Sequence, residues 1–141
     1  MRPPVTRGRR RIVYLSGEAV LAVHAEVFGC TVQQARDRLR NPDGLEAAVV
    51  RPQNHAHYQS ADLALQTAVL AHGIAEGQLF IEGNKRTALA AMATFLTLND
   101  CRLNASQHER FCWMIDLSRG LSPHDLASRL RSAVTCASDP G

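Results

Sequence analysis

The sequence predicts an all-α protein, a single-domain helical bundle, and three observations carry that prediction. Helix punctuation recurs along the chain: Ser16, Ser106 and Ser122 stand before helical stretches, and Gly29, Gly77 and Gly120 follow them. Apolar residues make up 45% of the 141 residues but aromatic ones only 5%, so the core is expected to consist of Ala, Leu and Val. No internal repeat divides the chain, and its length suits one domain with a real core.

The elements follow in order. "MRPPVTRGRRR" (1–11) carries Pro3, Pro4 and Gly8 with no apolar period, and is expected to be a mobile, solvated arm before a domain spanning 12–136 and a short tail at 137–141. "IVYL" (12–15) reads as an extended lead-in. Ser16 then caps a helix with Glu18 in its first turn, where the helix dipole favours a negative charge. Val20, Leu21, Val23, His24, Val27 and Phe28 form its apolar stripe, and Gly29 ends it. "TVQQARDRLR" gives another short helix. "NPDG" (41–44) has turn chemistry, followed by a small helix "LEAAVVR" that breaks at Pro52 and a polar loop "QNHAHYQS" (53–60). A long apolar helix runs from Asp62 to about Glu76, and the next opens at Asn84 and carries Leu89, Met92, Phe95 and Leu96. Ser106 with Glu109 has capping-box spacing, and "SPHD" (122–125) supplies an N-cap, a proline at the first helical position and an acid at the third.

The formal charge of +3 misleads. Five arginines sit in the first eleven residues, and without them eleven basic residues face thirteen acidic ones. The basic excess belongs to the arm, so only the arm offers anything to nucleic acid. No apolar stretch follows the arginines as in a secretory signal, and no window is apolar enough for a membrane span. Cys30, Cys101, Cys112 and Cys136 lack paired C-x-x-C spacing and read as reduced, packed thiols of a cytoplasmic protein.

One stretch stands apart. "QLFIEGNKRT" (78–87) joins the two long apolar helices and holds Lys85, the single lysine in a chain with fifteen arginines. A helix N-terminus presents unpaired N–H groups and the positive end of the dipole, and Lys85 and Arg86 add two cations where the dipole disfavours them. That is poor capping but a suitable anion site, best suited to phosphate. The expectation is that residues 84–87 form the first turn of a buried helix with their N–H groups facing a cleft. Glu82 could hold a hard cation such as Mg²⁺ beside the phosphate, and Gly83 permits a sharp turn or a close ligand approach.

The eight residues "FIEGNKRT" (80–87) resemble the core motif of the Fic/Doc family, in the form of its death-on-curing branch. "LSGEAVLAVHAEVFG", "NPDGLEAAVVRPQ" and "ALAAMATFLTLNDCRL" extend the resemblance to about Ile12–Val134. It implies a small helical bundle that transfers a phosphate-containing group from an ATP-like nucleotide, with Mg²⁺, to a protein hydroxyl. It further implies a cytoplasmic toxin, a translation-factor target, and an antitoxin whose C-terminal segment docks on it. By motif, Glu82 takes the metal-binding acid; Gly83, Asn84, Lys85, Arg86 and Thr87 take the phosphate-binding turn; Phe80 seats the loop. Leu89 stands where AMP-transferring members have a second arginine, so transfer of the terminal phosphate is the expected chemistry.

Gln78 departs from the pattern, which has a histidine there as general base. A glutamine amide accepts a hydrogen bond but holds no proton at neutral pH, and losing a positioned base costs about 10²–10⁴-fold in rate. Leu79 beside it favours natural divergence over a change made to silence a toxin. Three functions stay open: a slowed transferase in which Gln78 positions the nucleophile, a fold repurposed for another phosphate- or carboxylate-bearing substrate, and a silent binding module. A substitute base is one route for the first, and His55, His57 and Tyr58 in the polar loop are the candidates if that loop is a flap over the site. His24 and His72 read as core histidines, His108 and His124 as surface ones.

Overall fold

The computed structural model describes residues 3–6 and 11–137. Seven helices and a two-stranded sheet make one bundle: α1 (Gly17–Phe28), α2 (Val32–Asp37), α3 (Pro42–Gln59), α4 (Leu63–Glu76), α5 (Asn84–Leu98), β1 (Cys101–Leu103), α6 (Gln107–Ser118), α7 (Pro123–Ala133) and β2 (Val134–Cys136). The helical class predicted from the sequence is the observed one.

Helix α4 is the axis. Leu63, Ala68, Leu70, Ala71 and Ile74 lie on different sides of it, and all are buried because α3, α5 and α7 pack around it. A helix apolar all round has no other stable place in a domain of this size. Helix α5 returns beside it, and α1 lies against α5.

The predicted caps form as read. The side chains of Ser16, Ser106 and Ser122 accept from the N–H three residues on, Ser106 and Glu109 complete a capping box, and Gly29 ends α1 at φ 64°. The lead-in at 12–15 is non-helical, and Asn99 takes the place of a strand partner: its amide accepts from the Val13 N–H (2.8 Å) and donates to the Val13 carbonyl (2.9 Å).

Four readings are corrected. "NPDG" is the first turn of α3, with the Asn41 side chain accepting from the Gly44 N–H at 3.0 Å. An Asx-Pro turn and an N-cap followed by proline look alike over these residues, and the apolar run after them decides for helix. Helix α3 also continues through Pro52 to Gln59, so "QNHAHYQS" is not a loop. Pro52 removes one backbone hydrogen bond, yet it is itself buried, and the packing of α3 on α4 offsets the loss. Within the N-terminal arm Val5 is buried; its N–H donates to Asp62 Oδ2 (2.9 Å) and its carbonyl accepts from Leu63. Most of the arginines expected to make that arm basic lie outside the described residues. Finally, Cys101 and Cys136 form a disulfide, because the antiparallel register of β1 and β2 sets them opposite one another. Only Cys30 and Cys112 remain as free thiols.

Candidate functional site

The segment between α4 and α5 is fixed from below by backbone pairing that the sequence did not announce. The Leu79 carbonyl accepts from the N–H groups of Arg40 (2.7 Å) and Asn41 (3.2 Å), the Ile81 N–H donates to the Arg38 carbonyl (3.0 Å), and Leu39 and Phe80 form an isolated antiparallel bridge. The Asn41 side chain also donates to the Gly77 carbonyl. Residues 38–41, linking α2 to α3, thus run alongside the motif and bring Arg38 and Arg40 to its edge.

Phe80 anchors the segment. It is fully buried, which contributes about 2 kcal/mol, and its ring stacks on His24 at 3.9 Å between centroids. The Asn84 side chain then closes the turn, accepting from the Phe80 N–H (2.9 Å) and donating to the Phe80 carbonyl (3.1 Å). Asn84 was expected in the anion-binding turn, but its amide is occupied with shaping that turn.

Gly83 is the N-cap of α5, at φ 78° and without any side-chain cap. Of the two roles read for it, a sharp turn or a close ligand approach, the turn is observed, and the place a Cβ would take is filled by the Phe28 ring. The Thr87 N–H makes the first backbone bond of the helix, to the Gly83 carbonyl at 2.9 Å, so the N–H groups of Asn84, Lys85 and Arg86 precede the first intrahelical donor and have no acceptor within the helix. Those three donors, with the Lys85 and Arg86 side chains, make the positive end of α5. Arg86 is exposed and its guanidinium lies 4.6 Å above the Phe28 ring, a cation–π contact that orients it. The Thr87 hydroxyl is buried and faces His24 Nδ1 at 2.9 Å, so it too is engaged inward.

Gln78 and Glu82 are exposed on either side of Phe80. Gln78 follows the α4 C-cap and adopts φ 53°, in the left-handed region. A side chain there costs about 1–2 kcal/mol, a cost that glycine would avoid. Glu82 is the one carboxylate of the motif, and no cluster of three or more His, Cys, Asp or Glu that could hold a metal occurs among the described residues. The donor set therefore suits a Mg²⁺ shared with ligand phosphates, which needs only one or two carboxylates, and not a cage built from protein alone.

His24 is fully buried between Phe28 and Phe80. Burial pushes its pKa down, the Arg38 charge adds to this and Glu82 opposes it, so the ring is neutral at neutral pH. His72 is lowered in the same way, by burial first and Arg51 second. The core reading of His24 fits; its place behind the motif was not foreseen. A histidine in an otherwise apolar helical stripe was the available signal. His108 and His124 are exposed, as read.

The flap reading of His55, His57 and Tyr58 is corrected. They lie in the last turns of α3, fourteen or more residues beyond Asn41, which is about 20 Å of helix from the end that touches the motif. His55 Nδ1 contacts the Arg51 carbonyl and His57 packs edge-on against Tyr58. Where a cleft was expected, Asn84 and Lys85 are half-buried, Arg86 is exposed and Thr87 is buried. A cavity of about 690 Å³ lies at the far end of α4, walled by Gln59, Asp62, His124 and Arg131 among others. Pockets of about 440, 420 and 390 Å³ also have none of residues 78–87 in their walls.

The model of the Fic/DOC family matches residues 14–96, more than half of the chain. This chain belongs to the Fic/DOC family. Toxin Doc of Mycolicibacterium smegmatis is 36% identical to it over 94 residues, 65% of this chain and 68% of that protein. The Fic/DOC match runs from the lead-in through most of α5 and so contains the whole motif, whereas α6, α7 and the sheet lie beyond it.

Proposed function

We propose that this chain is a Doc-type toxin that transfers the terminal phosphate of an ATP-like nucleotide to a protein hydroxyl, slowed by the glutamine at position 78. The observation that supports this most is the start of α5: three backbone N–H groups without intrahelical acceptors, flanked by Lys85 and by an Arg86 held in place on Phe28. Helix N-termini built this way favour phosphate, and the two cations neutralise charge on the transferred group. Mg²⁺ held by Glu82 together with the phosphates would supply further charge neutralisation. In the transfer, the hydroxyl oxygen bonds to the terminal phosphorus, the bond to the bridging oxygen breaks, and ADP leaves. The hydroxyl proton must go to an acceptor. Gln78 can orient the hydroxyl by hydrogen bonding but cannot take that proton, so it passes to solvent or phosphate, more slowly.

The name of the Mycolicibacterium relative supports the toxin reading, and a toxin of this type implies an antitoxin partner and, by resemblance, a translation-factor target. Cytoplasmic action belongs to the same proposal; among the described residues no helix is long and apolar enough to cross a membrane. The deciding experiment is Gln78→His. Histidine also tolerates the left-handed conformation found at this position. Phosphate transfer to a translation factor, or growth arrest on expression, should rise by about 10²-fold or more. A Gln78→His variant no more active than the native chain, while the native chain acts on another substrate, would assign Gln78 to different chemistry.

A further inference from the structure

His24 does more than fill space. Its ring is 0% exposed, Nδ1 shares a 2.9 Å hydrogen bond with the Thr87 hydroxyl, and Nε2 has no partner. A buried imidazole nitrogen without a partner lowers stability, and an apolar side chain of similar volume would avoid that loss. As a packing residue alone, then, His24 is a poor choice for this place in α1.

Its contacts show what the imidazole does accomplish. One ring face stacks on Phe80 at 3.9 Å, and Phe28 lies at 4.7 Å on the same helix. Phe28 carries the Arg86 guanidinium and fills the space beside Gly83. Phe80 is bonded through its backbone to the Asn84 side chain. Thr87 starts the backbone ladder of α5 from Gly83. Phe80, Gly83, Asn84, Arg86 and Thr87 around the start of α5 therefore reach His24 directly or through one neighbour, and the imidazole gives α1 a side-chain hydrogen bond to that turn.

We propose that His24, through its bond to Thr87 and its stack on Phe80, is the positioning residue that holds the α5 N-terminal turn and the Arg86 guanidinium in the arrangement that binds phosphate. It touches no ligand itself; it acts through Thr87, Phe80 and Phe28. The inference rests on the anion-binding reading of this turn.

The test is a double-mutant cycle on the full chain, using His24→Leu, which is close in volume, and Thr87→Val, which exchanges the hydroxyl for a methyl group. Calorimetric titration with ATP–Mg²⁺ and with inorganic phosphate gives the affinities, and melting of the unliganded proteins gives the stabilities. Each single variant should bind about tenfold more weakly, as when an orienting partner behind a ligand-binding group is lost. The double variant should bind no more weakly than the worse single one, and Thr87→Ser should be affected less than Thr87→Val. The unliganded double variant should melt near or above the native protein, since an apolar pair replaces a buried polar pair with an unsatisfied nitrogen. A purely structural role would show the reverse pattern: changed melting and unchanged affinity. Native affinity in both single variants, or strictly additive losses, overturns the inference and leaves the anion site standing. Failure of the native protein to bind either probe overturns both.

Discussion

Gly83→Ala tests the geometry of the motif with an internal control. At φ 78° an alanine costs about 1–2 kcal/mol for the left-handed backbone alone. Its Cβ would also overlap the Phe28 ring, and overpacking of this kind costs about 1–3 kcal/mol. Reduced freedom of the unfolded chain returns about 0.4–1 kcal/mol, leaving a net loss near 3 kcal/mol. Gly29 has a similar φ of 64° but open space where a Cβ would go, so Gly29→Ala isolates the backbone term, near 1 kcal/mol. Urea unfolding followed by circular dichroism measures both; in melting temperature the losses correspond to about 9 °C and 3 °C. Phe28→Leu should recover part of the Gly83→Ala loss, with a coupling of about 1–2 kcal/mol. Equal losses at the two glycines, or strict additivity with Phe28→Leu, would refute the claim that Gly83 is required by Phe28.

Two further predictions concern the frame around the site. Asp62 accepts from the N–H groups of Val5 and Leu65 and from Arg131 Nε and Nη2, all at 2.9 Å. Burial pushes its carboxyl up, but the Arg131 hydrogen bond, the two backbone donors and the Arg131 charge together hold it below its ordinary 3.8. A depressed carboxyl contributes stability that is present above the unfolded value and lost as pH falls through the folded one. Asp62→Asn should therefore cost about 2–3 kcal/mol at pH 7, with Arg131 about a quarter exposed, and the gap to the native protein should close below about pH 4; a gap constant from pH 7 to 2.5 would refute the ion-pair assignment. Opening the Cys101–Cys136 bridge with a dithiol should lower stability by up to about 4 kcal/mol, given a sequence separation of 35, and four reactive thiols in untreated, unfolded protein would refute the bridge.

The parts of the fold legible in the sequence were those written in local chemistry. Ser16, Ser106 and Ser122 cap helices because their hydroxyls reach an N–H three residues on, whatever the rest of the chain does. The start of α5 at Asn84 was legible because the apolar period resumes there after Gly83. What failed was decided by distant contacts. Pro52 stays helical because α3 packs on α4, and Val5 is buried because Asp62 offers it an acceptor 57 residues away. The three-residue strands are too short to show a period, and the register that pairs Cys101 with Cys136 exists only once both ends meet. At the site, Lys85, Arg86 and Glu82 could be picked out by type and spacing. Phe28 could not, since on α1 it looks like one more member of a core stripe, and His24 gave only the signal of a histidine within that stripe, not its place behind the motif.

The central claim is that the turn opening α5 binds the phosphates of a nucleotide. Calorimetric titration of the native protein with ATP–Mg²⁺, beside the Lys85→Ala/Arg86→Ala double variant, tests it most directly. The native protein should bind saturably and gain about 2.7 kcal/mol of stability with ligand at about 100 times Kd, and the variant should lose both. A native protein whose heat signal and melting temperature ignore millimolar ATP–Mg²⁺ and phosphate, or a double variant that binds as the native protein does, would contradict it.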